Sequence, residues 1–186
     1  QMVRIPPHLV EEAIHQTPKA FTIYARDPEF KVTMGNQRVY FQPMIGRINI
    51  MDMETWTRRR TNLNDIEQLT RVADALEHYT ILHSGAIMPH IEGVSDEVAH
   101  VYGYLTSVKN SSKIIKGVCR GKQKALDCIR MATVIAGGEE SLKKRPNIFT
   151  TVNVISPLEY NLEQTEGLIE YAKRGLPVDI TSEPQS

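Results

Sequence analysis

The chain has 186 residues, enough for one or two domains with a real core. It is 41% hydrophobic and 24% charged, and 22 Lys and Arg balance 22 Asp and Glu, which argues against nucleic acid or an anionic membrane as the main partner. Two cysteines, Cys119 and Cys128, fit neither a metal spacing nor a disulfide framework, no apolar run approaches the roughly 18 residues of a membrane span, and no signal peptide is present, so a reduced cytoplasmic protein is expected.

The first sixty residues read as one short helix followed by strands. In "IPPHLVEEAIHQTP", Pro7 suits a helix start, Leu9, Val10, Ala13 and Ile14 share a face, and Pro18 is a stop. "KVTMGNQRVYF" places Gly35-Asn36 between two β-prone runs and predicts a hairpin there. "INIMDMETWTRRR" predicts a second hairpin, turning near Asp52 to Thr55. The clusters Arg58-Arg59-Arg60 and Lys143-Lys144-Arg145 are short and are expected on the solvated surface. A helix then begins, with Asn62 as cap and Asp65 in the first turn; Ile66, Leu69, Val72, Ala73 and Leu76 make its apolar stripe.

From about residue 80 strands and helices alternate. The predicted strands are 79–85, 113–119, 147–155 and 177–181, apolar on both faces as a covered parallel sheet requires. Between them lie three helices, with Ser95 and Asn161 as caps and Gly137 and Gly175 at helix ends. Four β-branched runs exclude a helical repeat of similar period. Four βα steps imply right-handed crossovers and a parallel sheet. The sheet is either a complete doubly wound one or the first half of an eight-stranded barrel.

Either architecture binds ligands at the carboxyl ends of its strands. The residues at those ends are His83, Ser84 and Gly85; Cys119 and Arg120; Asn153, Ser156 and Pro157, with Tyr160 and Asn161 just beyond; and Ser182 and Glu183. No phosphate-binding fingerprint follows the first strand, which counts against a nucleotide site. His83, His90 and Cys119 do not form a metal motif, and Cys119 has no identifiable base partner, so a small buried thiol is the expectation for it.

Several collinear motifs carry a more specific resemblance. "VRIPPHLVEEAI", "FTIYARDPEF", "VYF", "INIMDMETWTRRRTNLNDIEQLTRVADAL", "RPNIFTTVNVISPLEYN" and "GLPVDITSEPQ" occur in the order of the trimethylamine methyltransferase family, and the chain resembles that family over essentially its whole length. Trp56 departs from it, standing where the family's tight "ETG" turn carries glycine, and puts the turn type of the second hairpin in question. The resemblance implies an α/β fold: four βα units, the first half of a TIM barrel, after a small N-terminal helix and β-hairpin subdomain. The corresponding division is 1–61 and 62–186. It implies methyl transfer from a methylated amine, such as trimethylamine or glycine betaine, to the cobalt of a corrinoid (cobalamin) carried by a cognate partner protein, with no cofactor bound directly. One branch of the family carries pyrrolysine; the sequence does not assign the chain to a branch, and the oligomeric state of the full-length protein stays open.

On this reading Glu183 is the candidate catalytic residue, offering charge or a hydrogen bond, and Asn153, Ser156, Tyr160, Ser84 and Ser182 are the candidate substrate-binding residues. The chain opens on Gln1 and closes just after a strand, so it is expected to be an N-terminal fragment, poor at catalysis and folding alone. The competing expectation is a non-catalytic, open α/β module that binds a small ligand.

Overall fold

The computed structural model describes residues 3–35, 37–46, 48–155 and 159–182. The chain forms helix α1 (Pro7–Gln16), hairpin strands β1 (Ala20–Tyr24) and β2 (Lys31–Gly35), strands β3 (Asn49–Met51) and β4 (Arg58–Arg60), and helix α2 (Leu63–Ala75). Strand β5 (Ile81–His83), a short 3-10 turn (Gly85–Ile87), α3 (Ala99–Lys109), β6 (Ile114–Lys116), α4 (Lys122–Ala136) and α5 (Glu139–Lys144) follow. The described chain ends with β7 (Thr150–Ile155), β8 (Glu159–Tyr160), α6 (Leu162–Lys173) and β9 (Val178–Ser182). Among these residues no helix is long and apolar enough to cross a membrane.

The N-terminal segment departs from its sequence reading in two places. Strand β2 pairs backwards with β1, in the register Ile23↔Val32; the chain does turn after Gly35, whose carbonyl accepts from Arg38 N, but the run that follows does not pair with β2 as a strand among the described residues. The cause is local and apolar together. Asp27 closes a tight turn, its carbonyl accepting from Phe30 N and its side chain from Glu29 N, and the register buries Ile23 and Val32 side by side. Gly35 ends the strand at φ 98°; Asn36 lies outside the described residues. Helix α1 has Pro7 in its first turn but buries no residue, so the apolar face read from the sequence meets no core among the described residues.

The second hairpin turns where expected: β3 and β4 pair antiparallel, and Asp52 accepts from Glu54 N, Thr55 N and Thr55 Oγ1. Trp56 occupies the left-handed region at φ 55°. Arg58 and Arg60 are exposed as expected, while Arg59, its side chain 39% exposed, is also ion-paired. Its guanidinium forks onto both oxygens of Asp65, at 2.6 and 2.8 Å, and Nε donates to Asp52 at 3.0 Å. Asn62 and Asp65 form a reciprocal capping box, so one carboxylate both starts α2 and anchors the hairpin. Hydrogen bonds from Thr55 and from Arg59 hold the Asp52 carboxyl down at about 2. Asp65 is drawn inward, and the buried stripe of α2 runs through Asp65, Ile66, Thr70 and Ala73, while Val72 and Leu76 face solvent.

The α/β part follows the predicted alternation. β5 and β6 pair in parallel, as do β7 and β9, and among the described residues a backbone hydrogen bond from Gly117 N to Phe149 O links the two pairs. β8 folds back antiparallel on the end of β7. No sheet closes into a barrel among the described residues. Asn161 caps α6, and Gly137 ends α4 in the left-handed conformation. Ser95 does not cap its helix: its carbonyl accepts from Val98 N in a turn, and α3 starts at Ala99 without a side-chain cap.

Two apolar clusters form the core. Leu82, Ile115 and Ile148 point from the strands to the helices and meet Tyr104, Cys128, Ile129 and Tyr171. On the other side, Ile81, Ile114 and Phe149, at the starts of their strands, pack against Ile23 and Val32. The β1–β2 hairpin thus covers that end of the sheet and leaves the carboxyl ends to line a cavity.

Candidate active site at the strand ends

Strand alternation builds the site. Two residues beyond Ile81 and Ile114 on the same side stand His83 and Lys116; two beyond Phe149 stands Thr151, then Asn153. In β9, Asp179 is level with Thr151 and Thr181 with Asn153. One apolar layer sealed by the hairpin therefore gives way to polar layers toward the strand ends. These polar residues line a cavity of about 260 Å³, together with Cys119, Arg120, Gln164 and the segment bearing Gln42 and Met44. Its volume lies just below the roughly 300–1,000 Å³ of drug-sized pockets, which suits a metabolite of few heavy atoms.

The wall is hydrogen-bonded into place. Thr181 Oγ1 donates to Asn153 Oδ1 at 2.8 Å, and Thr151 Oγ1 to Asp179 Oδ2 at 3.3 Å. Gln164 of α6 accepts from Asn153 N at 2.9 Å. Cys119 Sγ donates to the Thr151 carbonyl at 2.9 Å, and burial pushes its thiol up. Burial, helped by the Lys116 charge, drives His83 down to about 4, leaving a neutral imidazole at physiological pH. Lys116 is 2% exposed, its Nζ 5.1 Å from the Phe149 ring centroid. Its pKa is lowered by burial, against which the Asp179 and Cys119 side chains act.

Of the residues proposed from the sequence, Asn153 lines this cavity. Ser84 is buried at the start of the 3-10 turn, and Tyr160 is half-exposed on β8; neither is among the lining residues. Ser182 ends β9, with its side chain outside the described residues, as are Ser156 and Glu183 altogether. His90 pairs with Asp96 at 2.7 Å on the surface, and no three His, Cys, Asp or Glu side chains converge as metal ligands among the described residues. Lys116, Thr151, Asp179, Thr181 and Gln164 were not singled out in the sequence. The available signal was a lone Lys and a lone Asp, each placed where period-two alternation turns it to one face of an otherwise apolar strand.

The motif resemblance holds up under direct comparison. The profile of the family described as Trimethylamine methyltransferase (MTTB) matches residues 1–184. A glycine betaine methyltransferase of Desulfitobacterium hafniense (strain Y51) is 31% identical over 180 residues, covering 97% of this chain and 37% of that protein. A trimethylamine methyltransferase, MttB, of D. hafniense (strain DSM 10664 / DCB-2) is 29% identical over 182 residues, with 98% and 36% covered. MttB of Methanosarcina barkeri is 23% identical over 190 residues, with 97% and 37% covered. The chain therefore spans little more than a third of the length of the curated relatives it matches. With a match that runs through every element from α1 to β9, the chain belongs to the trimethylamine methyltransferase family.

Proposed function

We propose that the protein moves a methyl group from a small methylated amine to the cobalt of a corrinoid held by a separate partner protein. The observation that carries this reading is a polar cavity at the carboxyl ends of strands β5, β6, β7 and β9, in a chain of this family. On the same reading, residues 62–186 are the first four βα units of a TIM barrel and residues 1–61 a subdomain before it. Three features support the barrel: parallel pairing of β5 with β6 and of β7 with β9, the hydrogen bond between β6 and β7 regions, and each barrel strand lying beside its predecessor in sequence. A doubly wound sheet would reverse its strand order at a switch point.

The cavity's donors are amides, hydroxyls and organic ions, a set that fits a small zwitterion or cation better than a metal centre. The corrinoid, arriving on its partner, supplies the methyl acceptor. The residues of this chain hold and orient the amine so that one methyl carbon faces the incoming acceptor in line. The positive charge on the amine falls as the methyl leaves, so a tight cation clamp would hold the ground state more than the transition state. Hydrogen-bonded neutral groups such as Asn153 and Thr181 suit that requirement, and their mutual bond fixes the wall before substrate arrives. Glu183, four residues beyond Asp179 in sequence, remains the candidate for a charge or hydrogen bond to the substrate, and Ser182 and Ser156 remain candidate substrate-binding residues.

The test uses the protein as its gene encodes it, incubated with cob(I)alamin and either trimethylamine or glycine betaine, with methyl transfer followed by absorbance. Transfer from a methylated amine is expected, and weaker transfer by a Glu183→Gln variant. Binding of the amine with no transfer to free or protein-bound cob(I)alamin would instead establish a non-catalytic binding module.

A further inference from the structure

Lys116 is the feature of the cavity that methyl transfer alone does not explain. It ends β6, shares a face with Ile114, and stands level with His83 across the β5–β6 pair. Phe149 lies beneath its ammonium as a cation–π partner, yet among the described residues no group accepts a hydrogen bond from Nζ. The neighbouring carboxylate, Asp179, already accepts from Thr151. Lys116 is 2% exposed as a residue and lines the cavity, and its Nζ is not among the buried polar atoms that lack a partner, so the ammonium reaches the cavity with donors free for an anion or acceptor there. A second cation, Arg120, lines the same cavity, so the lining carries two cations against the one carboxylate of Asp179. A trimethylammonium group without a counter-charge would meet like charge there. An anionic group on the substrate would find three unused N–H donors, with the ammonium end left toward Asp179 and the neutral wall of Asn153 and Thr181.

Resting on the functional reading above, we propose that Lys116 binds the carboxylate of the substrate and makes the cavity selective for methylated amines that bear an acid group on a short linker. Lys116 is then a specificity-determining residue. The same charge that recruits a betaine-type zwitterion disfavours a simple methylated cation, so selection works by attraction and repulsion together.

Calorimetric titration of the protein as its gene encodes it, without corrinoid, tests this with glycine betaine and with tetramethylammonium, a cation of similar shape lacking the carboxylate. Wild type should prefer betaine. Lys116→Met should weaken betaine binding about tenfold to a hundredfold, as expected for loss of a charge-assisted hydrogen bond, and narrow or reverse the preference, while Lys116→Arg keeps part of it. Equal betaine affinity in wild type and Lys116→Met would overturn the assignment, as would equal wild-type affinity for the two ligands. If Lys116→Met fails to fold, the wild-type preference and competition of acetate against betaine decide: acetate that does not compete counts against Lys116. Binding and transfer with tetramethylammonium but not betaine would overturn only this assignment. No binding or transfer with any methylated amine would overturn the functional reading and this one with it.

Discussion

Trp56 shows how one residue can carry a cost in a hairpin that is otherwise well built. Its φ of 55° is a conformation that costs an L-residue about 1–2 kcal/mol and glycine almost nothing. Its side chain is 71% exposed, so little packing offsets that cost. The turn persists because it is over-determined: Asp52 gathers three hydrogen bonds from residues 54 and 55, its carbonyl accepts from Trp56 N, and Arg59 ties it to Asp65. Trp56→Gly is therefore expected to stabilise the protein by about 0.5–1 kcal/mol, after the extra chain entropy of glycine is subtracted. Urea unfolding followed by circular dichroism measures this, since Trp56 is the only tryptophan and fluorescence would be lost with it; an unchanged or lower midpoint would show that the ring packs more than its exposure implies. The family resemblance pointed to this position, because Trp56 stands where the family's tight turn carries glycine. It did not reveal Arg59, because a run of three arginines on a short strand has the same signature whether one of them is ion-paired or none is.

Among the helices, α6 supplies a residue, Gln164, to the cavity lining, and a glycine sets its approach. A Cβ on Gly167 would lie 2.2 Å from the carbonyl oxygen of Cys119, which is backbone and cannot swing aside. In an exposed helix Gly→Ala would gain about 1 kcal/mol from propensity. Here overpacking opposes it, and Gly167→Ala is expected to destabilise by about 1–3 kcal/mol net and to push α6 off the Cys119 loop. Because Gln164 lies one turn earlier and holds Asn153 N, on the proposed function amine binding should weaken as well. Thermal unfolding and titration with the methylated amine check both effects, and a variant as stable as wild type would mean the helix shifts freely. Helices and strands in this half were legible because their periodicities are clean and their caps, Asn62, Asn161 and Gly137, have the chemistry the ends require. Ser95 had the same credentials and lost to a turn. The backward pairing of β2 was hidden for a different reason: Gly35-Asn36 is a strong local turn signal, and the competing partner β1 is chosen by burial of Ile23 on Val32, a tertiary gain that no local window contains. The polar site layers were hidden similarly, since Lys116 and Asp179 read as interruptions until strand pairing set them level with His83 and Thr151.

At the scale of the whole molecule, the sheet presents two outer edges that differ. Beyond β5, the chain around Phe41 partly covers the edge: Phe41 bridges Tyr79 in parallel, and Thr80 N donates to Phe41 O. Strand β9 has β7 on one side and no partner on the other among the described residues, and Ile180 at its centre is 56% exposed. An unpaired edge with an exposed β-branched residue is a template for another strand. If the strands are half of a barrel, that edge is where the fifth strand belongs, and residues 1–186 expressed alone should self-associate as concentration rises, with light scattering reporting dimers and larger species. Ile180→Lys places a charge on the edge strand without emptying a buried site, so it should leave thermal stability within about 0.5 kcal/mol and suppress the association. On that reading, a longer chain carrying the next strand should not share the behaviour, because that strand would cover β9. A segment that stays monomeric at high concentration would count against the half-barrel and for a self-sufficient open sheet. Association that Ile180→Lys leaves untouched would move the sticky surface to α1, whose apolar face also lacks cover among the described residues.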